Sequence, residues 1–230
     1  MWLKNRNIQK LGGGRLERLG LNVWSKLQLA GLKSRKPSDI VELISQIHKE
    51  QRSLLSAFEL FYLYSLSRAQ AAAPGVFAEV GVYQGGSAKL ICQAKGNKSL
   101  RLFDTFEGLP QPSDHDRGVH KKGQYACPME AVQSYLSGYL NVTFHKGTFP
   151  DSVKNLEEES YSFVHFDVDL YAGTLACLEY FYPRMAPGGM MLSHDYDLLA
   201  GVQQAFQEFF ANKPEQIIEQ PTTQCLIVKQ

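Results

Sequence analysis

"SFVHFDVDLYAGTLACLEYFYPRMAPGGMMLSHD", residues 162–195, decides the fold. It opens with an apolar run closing on Asp167 and ends with another closing on His194 and Asp195. Between them Thr174, Leu178, Phe181, Tyr182 and Met185 recur at helical spacing. Strand, helix and strand in that order predict a parallel pair joined by a crossover. Carboxylates are expensive to bury unless something pairs with them, so Asp167 and Asp169 raise the question of what lies opposite.

The same texture extends in both directions. "VFAEVG" (76–81), "SLRLFD" (99–104) and "VTFHKG" (142–147) are short apolar runs that each close on Gly or Asp. Met129, Val132, Leu136, Tyr139 and Leu140 predict a helix between two of them. Val202, Ala205, Phe206, Phe209 and Phe210 predict another after Asp195. "EQIIEQ" and "TQCLIVK" near the C-terminus are separated by too little chain for a crossover and read as a hairpin. The expected fold class is α/β, Rossmann-like: five parallel strands with a C-terminal antiparallel pair, seven strands in all. Residues 39–71 hold no Pro or Gly, and Leu54, Phe58, Phe61 and Leu66 give them a helical reading that "AAAPG" ends.

Totals bound the rest. At 230 residues, with 44% hydrophobic and 20% charged side chains, the chain suits one soluble globular domain with an appendage. Cys92, Cys127, Cys177 and Cys225 are scattered without metal-ligand spacing and read as reduced thiols of a cytoplasmic protein. No run approaches the length of a membrane-spanning helix, and no signal peptide is evident. The net charge of +1 conceals an imbalance: residues 1–36 carry nine Lys or Arg and one acid. Such an arm, with Leu and Trp interleaved, suits a membrane surface or nucleic acid, or else the domain's own flank or a second subunit. The turn-rich "SRKPSD" separates it from the helical stretch that begins near Ile40.

In open parallel sheets, ligands sit beyond the carboxyl ends of the strands. Glu79, Asp104, Asp167 and the His194-Asp195 pair fall there. "EVGVYQGGSA" (79–88) adds a glycine loop opening a helix, but Tyr83 breaks the GxGxxG pattern of dinucleotide sites. Asp104, closing the next strand, suits the two hydroxyls of a ribose or, structurally, a turn. The long polar segment 108–128 reads as a lid, with His115, His120, Lys121 and Lys122 as contact candidates or solvent-facing residues.

"FAEVGVYQGGSA", "LFDTFEGLP", "NVTFHKGTFPDSV", the opening stretch continued to Asp197, and "TTQCLIVK" together resemble the macrocin O-methyltransferase family of class I S-adenosylmethionine-dependent enzymes. The resemblance covers residues 50–230. It implies an enzyme methylating a hydroxyl of a sugar or other small natural product, usually with a divalent metal, magnesium or manganese. It implies that Glu79, Gly81, Gly85 and Ser87 hold the methionine part of the cofactor. Asp104, Thr105 and Phe106 would take the ribose, and Gly147, Thr148 and Phe149 the adenine. Asp167, His194 and Asp195 would ligate the metal, with Asp167 also the base. Where the family usually has an Asp pair, this chain has His194-Asp195. His194 is then a ligand favouring manganese, iron or zinc over magnesium, a general base, or the mark of a site without metal. Asp169 reads as orienting Asp167 or a substrate, or as capping the helix beginning near Tyr171, the capping and supporting role being the expectation. The implied organisation is a basic arm over 1–38, a helical cap over 39–75 and the cofactor domain over 76–230. A homo-oligomer is expected, with the arm offering a subunit contact. A nicotinamide-dependent oxidoreductase and a non-catalytic module binding through its arm are the alternatives; nucleic acid is not an expected partner.

Overall fold

The computed structural model describes residues 15–116 and 118–230. The opening stretch forms β4 (Tyr161–Phe166), α6 (Tyr171–Phe181) and β5 (Met185–Ser193). Before them in the chain come α1 (Arg15–Lys33), α2 (Ser38–Lys49), α3 (Ala57–Ala69), β1 (Val76–Val80), α4 (Gly86–Ala94), β2 (Leu100–Asp104), α5 (Met129–Leu136) and β3 (Val142–Lys146). After them come α7 (Ala200–Phe210), β6 (Ile218–Glu219) and β7 (Cys225–Val228). The seven strands lie in the order β3-β2-β1-β4-β5-β7-β6. β1 to β5 are parallel, and β7 runs antiparallel to both β5 and β6. The terminal pair therefore adds to the sheet as its pattern predicts.

Side chains alternate across the pleat, and each face has its own helices. Ala78, Val80, Val164 and Phe166 pack with Phe181 of α6 and Phe206 of α7. Phe77, Leu100, Leu102 and Phe163 pack on the other face with Leu63, Ile91 and Val132, from α3, α4 and α5. A third cluster joins Leu29 and Leu32 of α1, Ile40 and Ile44 of α2, Leu60 of α3 and Leu90 of α4. Each fully buried Phe or Leu contributes about 1.5–3 kcal/mol over an exposed one.

The helical reading of 39–71 is corrected to two helices. Gln51 has a left-handed φ of 55°. Ser56 then starts α3 with a capping box, its side chain accepting from the Glu59 amide while Glu59 accepts from the Ser56 amide. Tyr139 and Leu140 also lie beyond their expected helix, which ends at Leu136; Leu140 is 81% exposed. Met185 belongs to β5 and not to α6. The first 14 residues of the basic arm lie outside the described residues, and from Arg15 the arm is helix α1. All four cysteines are free and buried. Among the described residues no helix is long and apolar enough to cross a membrane.

Register levels the strand ends. Val80 pairs with Phe166, and Phe166 with Ser193. The ladder continues one residue further, through Asp167 N–H to Val80 O at 2.9 Å and His194 N–H to Phe166 O at 3.1 Å. Residues 81, 167 and 194 thus emerge side by side on one rim.

Candidate functional site

A cavity of about 1100 Å³ opens along that rim. Gly81, with φ +85°, is required there, because a Cβ would run into the Asp167 carbonyl oxygen. Without a side chain at this position, the ends of β1 and β4 close up beneath the cavity floor.

Asp167, His194 and Asp195 converge, with one ligand-capable atom of each within 4.8 Å of the others. His194 Nδ1 lies 3.2 Å from Asp167 Oδ1 and 3.1 Å from Asp195 Oδ2. Adjacent donors around a six-coordinate cation are about 3 Å apart when bonds are about 2.1 Å. The two spacings therefore fit one edge each of such a shell, and the donor set of two carboxylates and one imidazole suits a divalent transition ion. Burial alone would lower the His194 pKa; Asp195 and Asp167 outweigh it and hold it well above its usual value. For Asp167 burial opposes ionisation, and His194 wins, so its pKa falls below the carboxylate norm.

A fourth member, Glu59 of α3, escaped sequence reading. Its Oε1 lies 3.7 Å from His194 Nε2. The same oxygen accepts from the Thr223 amide at 3.2 Å and hydroxyl at 2.9 Å, and Oε2 accepts from the Ser56 amide at 2.8 Å. Burial would push the Glu59 carboxyl up, but His194 and Ser56 bring it far below the usual range. An outer carboxylate on the second nitrogen is what orients metal-ligating histidines. The signal available was local: "SAFE" at 56–59 is a capping box inside an apparently continuous helix.

Asp169 does not cap α6. The Tyr171 amide donates instead to Asp116 Oδ1 at 2.7 Å, from the 108–128 segment, and the same carboxylate accepts from the Ser113 amide and hydroxyl. Asp169 has φ 58° and faces the cavity. Burial, then Asp167 and Asp195, raise its pKa well above normal. His120 reaches the same wall, its side chain only 6% exposed, whereas Lys121 and Lys122 are exposed. His115 is exposed, stacked on Tyr171 and bonded to Gln204.

On the β1–β3 side, Gly81, Ser87, Asp104, Thr105, Gly147, Thr148 and Phe149 line the cavity. Glu79, Gly85 and Phe106 are not in its lining. Glu79 is fully buried beneath, 2.9 Å from His165 Nδ1, and burial raises its pKa despite that partner. Gly85, at φ +82°, is the N-cap of α4. Phe106 packs in the core around α4 and α5. Asp104 Oδ2 accepts from the Val82 and Tyr83 amides at 2.7 and 3.0 Å, and Oδ1 from the Phe106 amide at 2.7 Å. It ties the first two strand-end loops together as well as facing the cavity.

The opposite wall comes from the N-terminal helices: Trp24 and Gln28 of α1, and Phe58, Phe61 and Tyr62 of α3. Trp24 is 58% exposed there.

The Macrocin-O-methyltransferase (TylF) family model matches residues 66–225. The chain is 31% identical over 139 residues to the 8-demethyl-8-(2,3-dimethoxy-alpha-L-rhamnosyl)-tetracenomycin-C 4'-O-methyltransferase of Streptomyces olivaceus, covering 54% of this chain and 53% of that protein. It is 28% identical over 141 residues to the Mycinamicin III 3''-O-methyltransferase of Micromonospora griseorubida, covering 54% of this chain and 56% of that one. The chain thus spans about half the length of the curated relatives it matches. The O-methyltransferase NovP superposes with a TM-score of 0.70 at 21% identity, over 78% of this chain and 82% of NovP. The calicheamicin methyltransferase CalS11 gives 0.64 at 20% identity, over 89% and 91%. These two likenesses show the fold.

Proposed function

The chain belongs to the macrocin-O-methyltransferase family, and from that premise we propose that it methylates a hydroxyl of a sugar-linked small molecule. The methyl donor is S-adenosylmethionine, and a divalent cation held by Asp167, His194 and Asp195 assists. The observation that carries the reading is the convergence of those three side chains on the rim of one cavity.

The cofactor's place is supported by the glycine loop, by the α4 N-terminus, which has no side-chain cap, and by the Asp104, Thr105 and Gly147–Phe149 lining. Glu79 has one carboxylate oxygen without a hydrogen-bond partner among the described residues, and Ser87 of α4 stands beside it. Glu79 stands two residues before Gly81, buried beneath the lining that faces the methionine part. The sulfonium supplies a methyl group with a neutral thioether as leaving group. Trp24, Phe58 and the neighbouring α3 residues line the acceptor side with apolar surface. In the transfer an O–CH₃ bond forms, the S–CH₃ bond breaks, and the hydroxyl proton passes to the Asp167 carboxylate. A carboxylate with a lowered pKa is a weak base, so the hydroxyl must be acidified where it binds. That acidity is what a divalent cation supplies at this donor set. The rest of the task is alignment of oxygen, methyl and sulfur.

His194 as the base is less well supported. In the absence of a cation two carboxylates outweigh burial and raise its pKa, which favours the imidazolium, and an imidazolium accepts no proton.

Methyl transfer to a panel of glycosides, with Mg²⁺, with Mn²⁺ and with chelator, tests the reading. Cation-dependent transfer is expected. Cofactor binding without transfer to any hydroxyl would overturn the function. Transfer indifferent to chelator would overturn the metal assignment.

A further inference from the structure

Helix α1 is apolar on two sides. Leu29 and Leu32 are buried in the cluster with α2 and α3, and Ser25 and Gln28 are buried beside them. Gly20, Trp24, Leu27 and Gly31 follow at spacings of four, three and four, which sets them on a second line along the helix. Trp24 is 58% and Leu27 65% exposed, and a Cβ at Gly20 or Gly31 would meet nothing within 4 Å. Gln28 Oε1 accepts from the Phe58 amide at 3.1 Å, which brings Phe58, itself 42% exposed, alongside. Single exposed apolar side chains need no explanation. Here three of the five large ones exposed among the described residues stand together. A helix with apolar residues all round is ordinarily buried, so the outer line needs an occupant.

The charge around the patch names that occupant. Lys26, Lys33, Arg35 and Lys36 are exposed on and just beyond α1, and no acid occurs from 20 to 36. The next acids, Asp39 and Glu42, lie on α2. Lys26 and Lys33, seven apart, form a row beside the apolar line and not within it. Apolar side chains flanked by long cationic ones suit the boundary between acyl chains and anionic headgroups, where Trp is favoured and Lys reaches outward. A second copy fits less well. The three exposed side chains offer roughly 400 Å² at most, against about 800 Å² per partner in a stable interface, and two copies of the cationic row would repel. Nucleic acid would engage the cations and leave Trp24, Leu27 and Phe58 uncovered.

We propose that α1 docks the chain on an anionic lipid surface. Trp24, Leu27 and Phe58 meet the acyl boundary, and Lys26, Lys33, Arg35 and Lys36 sit among the headgroups. Gly20, Trp24 and Phe58 also line the cavity, so docking turns its mouth toward the headgroup layer. The docking does not depend on the methyltransferase reading.

The test is co-sedimentation of the full chain with vesicles of phosphatidylcholine, alone or with about 30 mol% phosphatidylglycerol, at about 0.05 and 0.5 M salt. Binding to the anionic vesicles is expected to be about tenfold or more tighter than to the neutral ones, and to weaken about tenfold at the higher salt. Lys26→Glu/Lys33→Glu/Arg35→Glu should weaken it about tenfold or more, and Leu27→Ser about threefold with the salt dependence kept. The chain has two tryptophans, Trp2 and Trp24. In a Trp2→Phe background, Trp24 emission should be quenched by brominated acyl chains. Equal binding to both compositions, no binding, binding untouched by either variant, or Trp24 emission that ignores brominated lipid would each overturn the docking. So would preference for a DNA duplex over vesicles, which gives the arm to nucleic acid. Self-association abolished by Leu27→Ser without vesicle binding would overturn it too, and give the face to a second copy. Melting curves identify a misfolded variant; the two vesicle compositions and the Trp24 quench then decide. Methyl transfer to soluble glycosides should be unchanged in both variants, so the docking and the methyltransferase reading fail separately.

Discussion

The two halves of the cavity rim are built differently. At the ends of β1 to β3, the charged group facing the cavity is already engaged by backbone: Asp104 accepts three amide N–H bonds. At the ends of β4 and β5, the charged groups face one another. His194 stands among Asp167, Asp195 and Glu59, and the His120 ring has no hydrogen bond among the described residues. The first half is a finished frame, whose charge is spent on holding loops. The second is a set of like charges around one imidazole, which a ligand or cation completes. On the proposed function, binding depends on the first and chemistry on the second.

That division can be broken by mutation. Asp167→Asn should produce the largest effect, a fall in kcat of about a thousandfold or more, with cofactor affinity within threefold by calorimetry. Retained turnover would remove Asp167 as base. Asp104→Ala should act mainly on stability. It leaves three backbone donors short of a partner and should cost about 3 kcal/mol in denaturant unfolding. If it lowers only cofactor affinity and leaves the melting curve alone, the frame description is wrong.

Glu59→Gln should come next. Loss of an outer carboxylate behind a metal-ligating histidine typically costs about 10–100-fold. The loss is expected in Mn²⁺ affinity, read by electron paramagnetic resonance, and in kcat, with the cofactor KM unchanged. Ser56→Ala is the companion with the smallest effect. It removes the Ser56 side-chain cap of α3 for about 1 kcal/mol but leaves the Glu59 carboxylate beside His194, so Mn²⁺ affinity should hold. Equal behaviour of the two variants would reduce Glu59 to a capping residue.

A pH series on the metal-free protein sharpens the contrast. His194 has a raised folded-state pKa, so its contribution to stability is fully present below about 6.5, the unfolded value. It is lost as pH rises through the higher folded value. Wild type should therefore lose stability on the alkaline side, and His194→Asn should lose less. Identical slopes would mean the imidazole is not held charged.

The division also explains what could be read in the sequence. Strand ends are local events: an apolar run stops, and Gly or Asp follows. That is why the sheet, its terminal antiparallel pair and the placing of residues 167, 194 and 195 at strand ends were legible from pattern, whereas their grouping as one trio came from the family resemblance. Glu59 was not, because its partners Thr223 and His194 lie far along the chain, and a continuous helical period hid the break before Ser56. Asp116 took over the α6 cap expected of Asp169 by reaching across 55 positions. No period marks the 108–128 segment, so the burial of His120 had no counterpart in spacing. Tyr139 and Leu140 show the opposite error, a helical spacing extended past the end of its helix.

Glu59 has one further consequence. The same carboxylate fastens the start of α3 and the turn before β7, and stands 3.7 Å from the imidazole of His194. The early helices and the last strands are thereby wired to His194 as two inputs to a single gate. On the proposed function, a chain with either end undocked would lose the carboxylate beside His194 and keep a cofactor lining without a working centre.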